Sequence, residues 1–552
     1  MKYEKHYNNK GPTPQTEPMA GAEGRQSPNN AGGFAFTVTN WDRLDRFLIL
    51  GSEGGTYYVG ERKLTLDNAK GILECLAEDG PRTVKRIVEI SHQGRAPKND
   101  PALFALSIAA SAGDHATRQA ALYALPHVAR IGTHLFHFAA FVNAQRGWGR
   151  GLRKAIARWY LEKPVDRLAE QLVKYQQRDG WSHRDMLRLA HPQTKDPARK
   201  GLFDWACRGT ASSDGAPLHA HVMAYEHIKA HPTVEDTVAA IRNQGLPREA
   251  IPTELLNDKL VWAALLEDMP MTAMIRNLGK MTAIELLKPL TPNVAHVVAQ
   301  LKDEAALKKA RLHPLAILLA LRTYAQGHGE KGKLRWDPVG QITDALDEAF
   351  YLTFQNVEPT NKRLLLACDI SGSMGSSIIA GSSLTAREAV AALALVTART
   401  EKNHHIVGFT SGEANEWHAG DRGRYGWAVR GNGISPIDIS PRMRLDTVTK
   451  HMAALRMGGT DCALPMDYAL AKGLEVDAFV VLTDSETWAG RIHPMEALRQ
   501  YRHTTGIKAK LIVVGMTATE FTIADPMDAG SMDVVGFDAA VPAIMADFIR
   551  KD

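Results

Sequence analysis

Cysteine is scarce: four residues in 552, standing singly at Cys75, Cys207, Cys368 and Cys462. That scatter forms neither a disulfide ladder nor a paired-cysteine zinc knuckle. No apolar run reaches the roughly 18 residues needed to span a bilayer, so no membrane partner is expected. The opening stretch MKYEKHYNNKGPTPQTEP lacks the apolar segment of a signal peptide. A reducing, cytoplasmic location is therefore the expectation. With 45% hydrophobic and 23% charged residues the chain is neither disordered nor fibrous. Its length calls for two or three domains.

A large charge of one sign is also missing, since the net is only +5. The distribution is uneven, however. Residues 141–200 hold 14 Lys and Arg against 6 Asp and Glu, a net of +8, which leaves −3 for the rest. A local basic excess on a near-neutral background fits a polyanion site, and also a solvated helical face.

Residues 1–33 are rich in Gly, Pro, Asn and Gln, and read as a flexible tail. Around Gly51–Gly55 and Tyr57-Tyr58-Val59 a turn and a small extended piece are expected. From about 66 to 355, apolar residues recur at helical spacing in one segment after another, among them 101–112, 116–129, 133–144, 149–162, 164–178, 233–244 and 313–325. About a dozen such helices with short connections suit stacked antiparallel pairs, as in an α-solenoid. After a boundary near 356–361 the pattern becomes short aliphatic strands alternating with helices: 362–371, 404–410, 477–484, 508–516 and 533–537 are the strands. This is the pattern of a doubly wound, mostly parallel α/β sheet, whose ligand site lies beyond the carboxyl ends of its strands. The fold class is thus a multidomain one: a helical-repeat region over 34–358 and an α/β domain over 359–552.

At one of those carboxyl ends stands Asp369-Ile370-Ser371-Gly372-Ser373-Met374. A carboxylate and two hydroxyls at alternate positions offer hard oxygen donors, which suit Mg²⁺ or Mn²⁺ rather than structural zinc. Thr460, after Gly458-Gly459, and Asp484, at the end of a strand, supply two more oxygens if the loops converge. Helix capping by the serines is the plain alternative for the hexapeptide alone. Residues 362–549 resemble a von Willebrand factor A domain, with DISGSM, GGT and LTD as its metal-ion-dependent adhesion site. The resemblance implies Ser371, Ser373 and Thr460 as direct or near-direct ligands and Asp369 and Asp484 as ligands largely through water. One coordination position is then left for an acidic group of a partner.

Within the basic stretch, Arg146, Arg150, Arg153 and Lys154 surround Trp148. Lys174 and Arg178, four apart, are expected on one helix face. Ser182 with Asp185 reads as a partial capping box for a next helix, on which Arg184, Arg188 and His191 share a stripe. Guanidinium forks and an imidazole suit phosphates and structured RNA. His191 fits equally well as a helix-terminal residue meeting free carbonyls, and Trp181 fits packing at a turn better than base stacking.

The segments FLILGSEGGTYYVGERKLT (47–65), KYQQRDGWSHRDMLRLAH (174–191), MTAMIRNLGKMT (271–282) and RLHPLAILLALRTYAQGHG (311–329), with the metal loops and FDAAVPAIMADF (537–548), resemble the Ro 60 kDa autoantigen family. Its helical portion is the telomerase, Ro and vault (TROVE) module. The resemblance implies a ring of HEAT-like helices closed by contact between the chain's start and the A domain. It implies Y RNA, a small noncoding RNA, on the outer basic surface, and 3′ ends of misfolded or immature RNA in a central hole. By motif match Lys174, Arg178 and His191 are RNA contacts; Arg184 and Arg188 follow from helical spacing. The lack of secretion features resembles a bacterial member, monomeric in its ribonucleoprotein and working beside a 3′-to-5′ exoribonuclease. Asp179 departs from a wholly positive surface and weakens the local field. The reading is of a nonenzymatic RNA-binding protein in RNA quality control. A metal-dependent protein scaffold is the alternative. A nuclease is disfavoured because no paired-carboxylate, two-metal arrangement is present. The loop 420–433, with Arg422, Arg424 and Arg430, is a candidate extension of the RNA surface.

Overall fold

The computed structural model describes residues 12–22, 24–53, 56, 59–209, 218–310, 312–329, 333–354, 359–379, 383–411, 433–455, 458–537 and 540–550. The loop 420–433 lies almost wholly outside these, as does much of the expected boundary at 356–361.

The first described residues lie on the A domain. Strands β1 (Gln26–Pro28) and β2 (Phe34–Thr37) pair antiparallel, and β2 pairs on its other edge with Phe521–Thr522 of the A domain. Residues 12–33 are therefore not a flexible tail. Gln15, Met19 and Ala22 are completely buried. Gln15 Nε2 donates to Asp461 Oδ1 at 2.7 Å and to the Ile492 carbonyl at 2.9 Å. Composition misleads here because the segment is held by hydrogen bonds to distant residues, not by an apolar periodicity of its own.

Helices follow. Thr39 and Asp42 form a capping box at the start of Asn40–Leu50, a helix just ahead of the expected turn. The next, Glu61–Gln93, is bent at Asp79 (φ −155°, ψ 91°) beside Pro81. Gly80 is required there, because a Cβ would lie 1.8 Å from Thr117 Oγ1. The expected helices appear as Asp100–Ala112, His115–Val128, Gly132–Gln145, Arg150–Glu162, Val165–Lys174, Val234–Gln244 and Pro314–Ala325. Their buried faces, with Phe136, Phe138 and Trp159 fully enclosed, merge into one apolar core that continues into the A domain.

One helix stops short. The helix Val165–Lys174 ends at Lys174, and the chain makes a two-stranded hairpin, β3 (Gln177–Arg178) and β4 (Trp181–Ser182). The turn residues Asp179 (φ 53°) and Gly180 (φ 77°) are both left-handed, the Asp-Gly signature of a two-residue hairpin. Lys174 and Arg178 therefore do not share a helix face. Ser182 then caps His183–Ala190 through a complete capping box with Asp185. The helix is pinned by His183, fully enclosed beside Phe136, Trp159 and Tyr160. Its Nε2 donates to the Gln171 carbonyl at 3.2 Å, which fixes the neutral tautomer in which Nδ1 accepts from Tyr160 Oη at 2.7 Å. Burial pulls this imidazole down to about 4.

The A domain is a six-stranded sheet. Its strands are β5 (Leu364–Asp369), β6 (His404–Phe409), β7 (Ile434–Pro436), β8 (Ala478–Thr483), β9 (Lys510–Gly515) and β11 (Ser531–Val535); β10 is the short Phe521–Thr522. The order is β11-β9-β8-β5-β6-β7, parallel except for β7. Helices Ala386–Thr400, Leu445–Ala453, Leu464–Ala471, Pro494–Thr505 and Ala540–Arg550 complete it. Chain order runs outward from β5 first to β6 and later to β8, so the switch point lies at their carboxyl ends.

Both ends of the helical region are tied to this domain. Near the start, Arg46 is 1% exposed and makes two bonds to Asp533, at 2.6 and 2.7 Å, while donating to the carbonyls of Thr519 and Phe521 at 2.9 Å. Near the end, Arg322 pairs with Glu388 at 3.1 Å, and Arg444 pairs with Asp344. His313 also donates from Nε2 to the Arg95 carbonyl at 3.0 Å, joining the last helices to the first ones directly.

Two outcomes follow from these contacts. Arg46→Ala leaves Asp533 and two carbonyls without their partner and is expected to destabilise the protein by about 3–5 kcal/mol, read by denaturant unfolding. For His183 the unfolded state takes up a proton near pH 6.5 and the folded state only near 4, so its contribution is intact above 6.5 and is lost as pH falls. That is about 3 kcal/mol across the interval. A His183→Gln variant, less stable at pH 7, should lose less on going to pH 4.5; an equal acid slope in the two proteins would contradict the assignment.

Candidate metal centre and RNA interface

The candidate metal centre is built at the switch point. Asp369 is the last residue of β5 and Asp484 follows β8; both are buried. Asp369 Oδ1 accepts from the Ser371 amide at 2.9 Å and Oδ2 from Thr483 Oγ1 at 2.6 Å. Ser371 and Ser373 place their hydroxyls 3.1 Å apart. The Gly458 carbonyl accepts from the Gly372 amide at 3.0 Å and so brings the Thr460 loop against the DISGSM loop. The five expected residues are all 1–2% exposed or less. Burial and the charge of Asp484 push Asp369 up to about 7, and burial pushes Asp484 up as well.

These residues fit a hard divalent cation. Thr460 Oγ1 and Asp484 Oδ2 are buried without hydrogen-bond partners, and two carboxylates face each other. Among the described residues neither is neutralised by an ion pair. Nor do the described residues hold a cluster of three or more His, Cys, Asp or Glu side chains of metal-binding type. The donor set is instead rich in hydroxyls, which suits Mg²⁺ or Mn²⁺.

One neighbour had no signal in the sequence. Glu486, two residues past Asp484, is pushed up to about 7 by burial and then by Asp484. It accepts from the Asn30 amide at 2.8 Å and from Asn30 Nδ2 at 2.7 Å. Asn29 Nδ2 donates to the Thr487 carbonyl at 2.8 Å, and Gly33 lies so close that a Cβ would be 2.0 Å from that oxygen. The N-terminal segment thus grips the loop that presents Asp484.

The basic residues occupy the opposite kind of setting. Arg150, Arg153, Lys154, Arg178, Arg184, Arg188 and His191 are exposed and Lys174 is half-buried. Arg184 and Arg188 share the outer face of a helix whose Met186 and Leu187 are buried. His191 caps that helix in the left-handed conformation (φ 48°), its amide donating to the Leu187 carbonyl at 2.9 Å. Arg178 stands at the hairpin tip with Asp179 Oδ1 3.7 Å from its Nε; the other oxygen of Asp179 pairs with His137 Nδ1. The carboxylate is thus partly engaged inward. Trp181 packs on Trp148, with ring centroids 5.3 Å apart, and so acts as a spacer, as the turn reading held.

Known proteins match this architecture. The Ro60 vWA domain profile covers residues 363–549, and the TROVE domain profile covers residues 27–222 and 243–322. The chain is 42% identical to the RNA-binding protein RO60 of Deinococcus radiodurans, over 98% of this chain and 97% of that one. It is 36% identical to the RNA-binding protein RO60 of Caenorhabditis elegans, over 95% and 90%. The crystal structure of the Deinococcus radiodurans RO (RSR) protein aligns with a TM-score of 0.69 at 41% identity, covering 93% of this chain and 99% of that one. A TROVE helical region joined to a Ro60-type A domain, at this identity over nearly the whole length, places the chain in the Ro60 family.

Proposed function

We propose that the chain is a noncatalytic RNA-binding component of a Y RNA ribonucleoprotein. The carrying observation is the array of exposed cations on two rigid supports, the Asp-Gly hairpin with Arg178 and the capped helix with Arg184, Arg188 and His191. Rigid, exposed guanidinium groups can meet phosphates of a folded RNA without paying for loop ordering. Small noncoding Y or Y-like RNA would lie on this surface. The 3′ ends of misfolded or immature RNA would enter the central hole that the family resemblance implies, and a 3′-to-5′ exoribonuclease would act on the RNA so presented in the cytoplasm. The names of the two relatives support RNA binding itself.

In the same reading Mg²⁺ or Mn²⁺ is held by Ser371, Ser373 and Thr460, with Asp369 and Asp484 acting largely through water. When bound, the cation supplies a Lewis-acidic point for an acidic group of a partner. Asp369 receives Thr483 Oγ1 and the Ser371 amide, so its role is to orient the loop. No nucleophile with an adjacent base stands in the centre, which argues for adhesion rather than hydrolysis.

Two measurements test this. Each phosphate contact released should lower the salt slope of log affinity by roughly 0.7–0.9, so Lys174→Ala/Arg178→Ala should flatten it by about 1.4–1.8 for Y-like RNA. A filter-binding salt titration reads this; an unchanged slope and affinity would favour a protein scaffold with an incidental basic face. Thr460→Val removes a hydroxyl that bonds to nothing in the fold, so it should keep the melting temperature while weakening Mg²⁺ in calorimetric titration, with Y-like RNA affinity within a few-fold of wild type. Unaltered Mg²⁺ affinity would remove Thr460 from the ligand set.

A further inference from the structure

Between the helices His115–Val128 and Arg150–Glu162 lies an open cleft of about 650 Å³. Small-ligand sites span about 300–1,000 Å³, so the volume suffices for one nucleotide. Arg118, Arg146, Arg150, Lys154 and Arg158 line it, and no carboxylate does. Among the described residues Arg118, Arg150 and Lys154 make no ion pair. The helix Arg150–Glu162 opens into the cleft with Gly149 as a cap that offers no side-chain acceptor, and its first turn has no acidic residue. Its free amides add to the positive field.

At the rim is Tyr123, 67% exposed. The Arg158 guanidinium sits 4.5 Å from its ring centroid and also donates to the Leu122 carbonyl at 2.9 Å and to the Tyr123 carbonyl. Arg158 thereby fixes the ring and covers one face, while the exposure leaves the other to solvent. An ordinary surface offers no reason to hold a large aromatic ring rigid and wet beside unpaired cations. The cleft also shares Arg150 and Lys154 with the basic residues already described.

We infer that this cleft takes an unpaired nucleotide of the bound RNA, its base stacked on Tyr123 and its phosphate held by Arg118, Arg150 and Lys154. The inference rests on the RNA-binding reading above and deepens it. Bases inside a duplex are already stacked and cannot use an aromatic platform; a bulged or looped-out base can. An acidic peptide would satisfy the guanidinium groups but leave the ring face without a planar partner.

The test uses the full chain and two RNA hairpins, one fully paired and one carrying a single bulged 2-aminopurine. Wild type and Tyr123→Phe should quench the bulged base on binding and prefer that hairpin. Tyr123→Ala should abolish the quench and lower affinity for the bulged hairpin alone by roughly tenfold, in the range of one base–aromatic stack. Circular dichroism checks that the variants fold. Equal loss for both hairpins, no loss, or an unquenched probe on wild type overturns the inference while RNA binding stands. Displacement of the bulged hairpin by polyglutamate but not by adenosine monophosphate overturns it in favour of a protein ligand. Failure of wild type to bind either hairpin defeats the RNA-binding reading, and this inference with it.

Discussion

The buried guanidinium of Arg46 holds the two domains in one relationship. A charged group at 1% exposure is tolerable only if it is paired and hydrogen-bonded, and here Nη1 meets two carbonyls and Nη2 the Asp533 carboxylate at the edge of the A-domain sheet, with Nε alone left without an acceptor. The geometry is directional, so it fixes the angle at which the first helix meets the sheet. At the far end of the helical region the more exposed ion pairs Arg322–Glu388 and Asp344–Arg444 join the same two domains, while His313 ties the last helices back to the first. A stack of helices held at one end would be free to open. Held at both ends by one domain, it presents its outer face in a fixed arrangement.

The two functional regions use opposite electrostatics. At the candidate metal centre, carboxylates are buried together and pushed toward the neutral form, so a bound cation would favour their charged state. On the helical surface, cations are spread in water with few partners, so a polyanion gains from releasing counterions. Keeping these on separate domains leaves each field undiluted. Asp179 is the exception, and its bond to His137 shows how a carboxylate within the basic region is drawn inward.

What could be read from the sequence follows how local the cause is. β5 and β8 are continuous aliphatic runs because both faces are covered, and such runs announce themselves. DISGSM, GGT and LTD were legible because each sits at a strand end or tight turn. The hairpin was signalled by Asp179-Gly180 but lost beneath an apparent helical spacing of Lys174 and Arg178, since periodicity counts residues without noticing where a helix stops. The segment 12–33 was illegible for a different reason. Gln15, Asn29 and Asn30 are buried or bound by partners more than 440 positions away, and no window of local sequence contains those partners. Tyr123 and Arg118 escaped likewise, because their cleft mates come from the next helix but one.

The docking of residues 12–37 on strands and loops between 461 and 525 carries a consequence for biogenesis. At about 5–20 residues per second, the ribosome needs roughly half a minute or more to supply those docking surfaces after the first residues have emerged. During that time the helices can stack in order as they appear, since each meets its neighbours in sequence. The leading segment meanwhile has nothing to pair with, and its Gly- and Asn-rich composition keeps it from aggregating while it waits. Closure thus waits until residues 461–525 have been made, and the loop that presents Asp484 acquires its clasp only then.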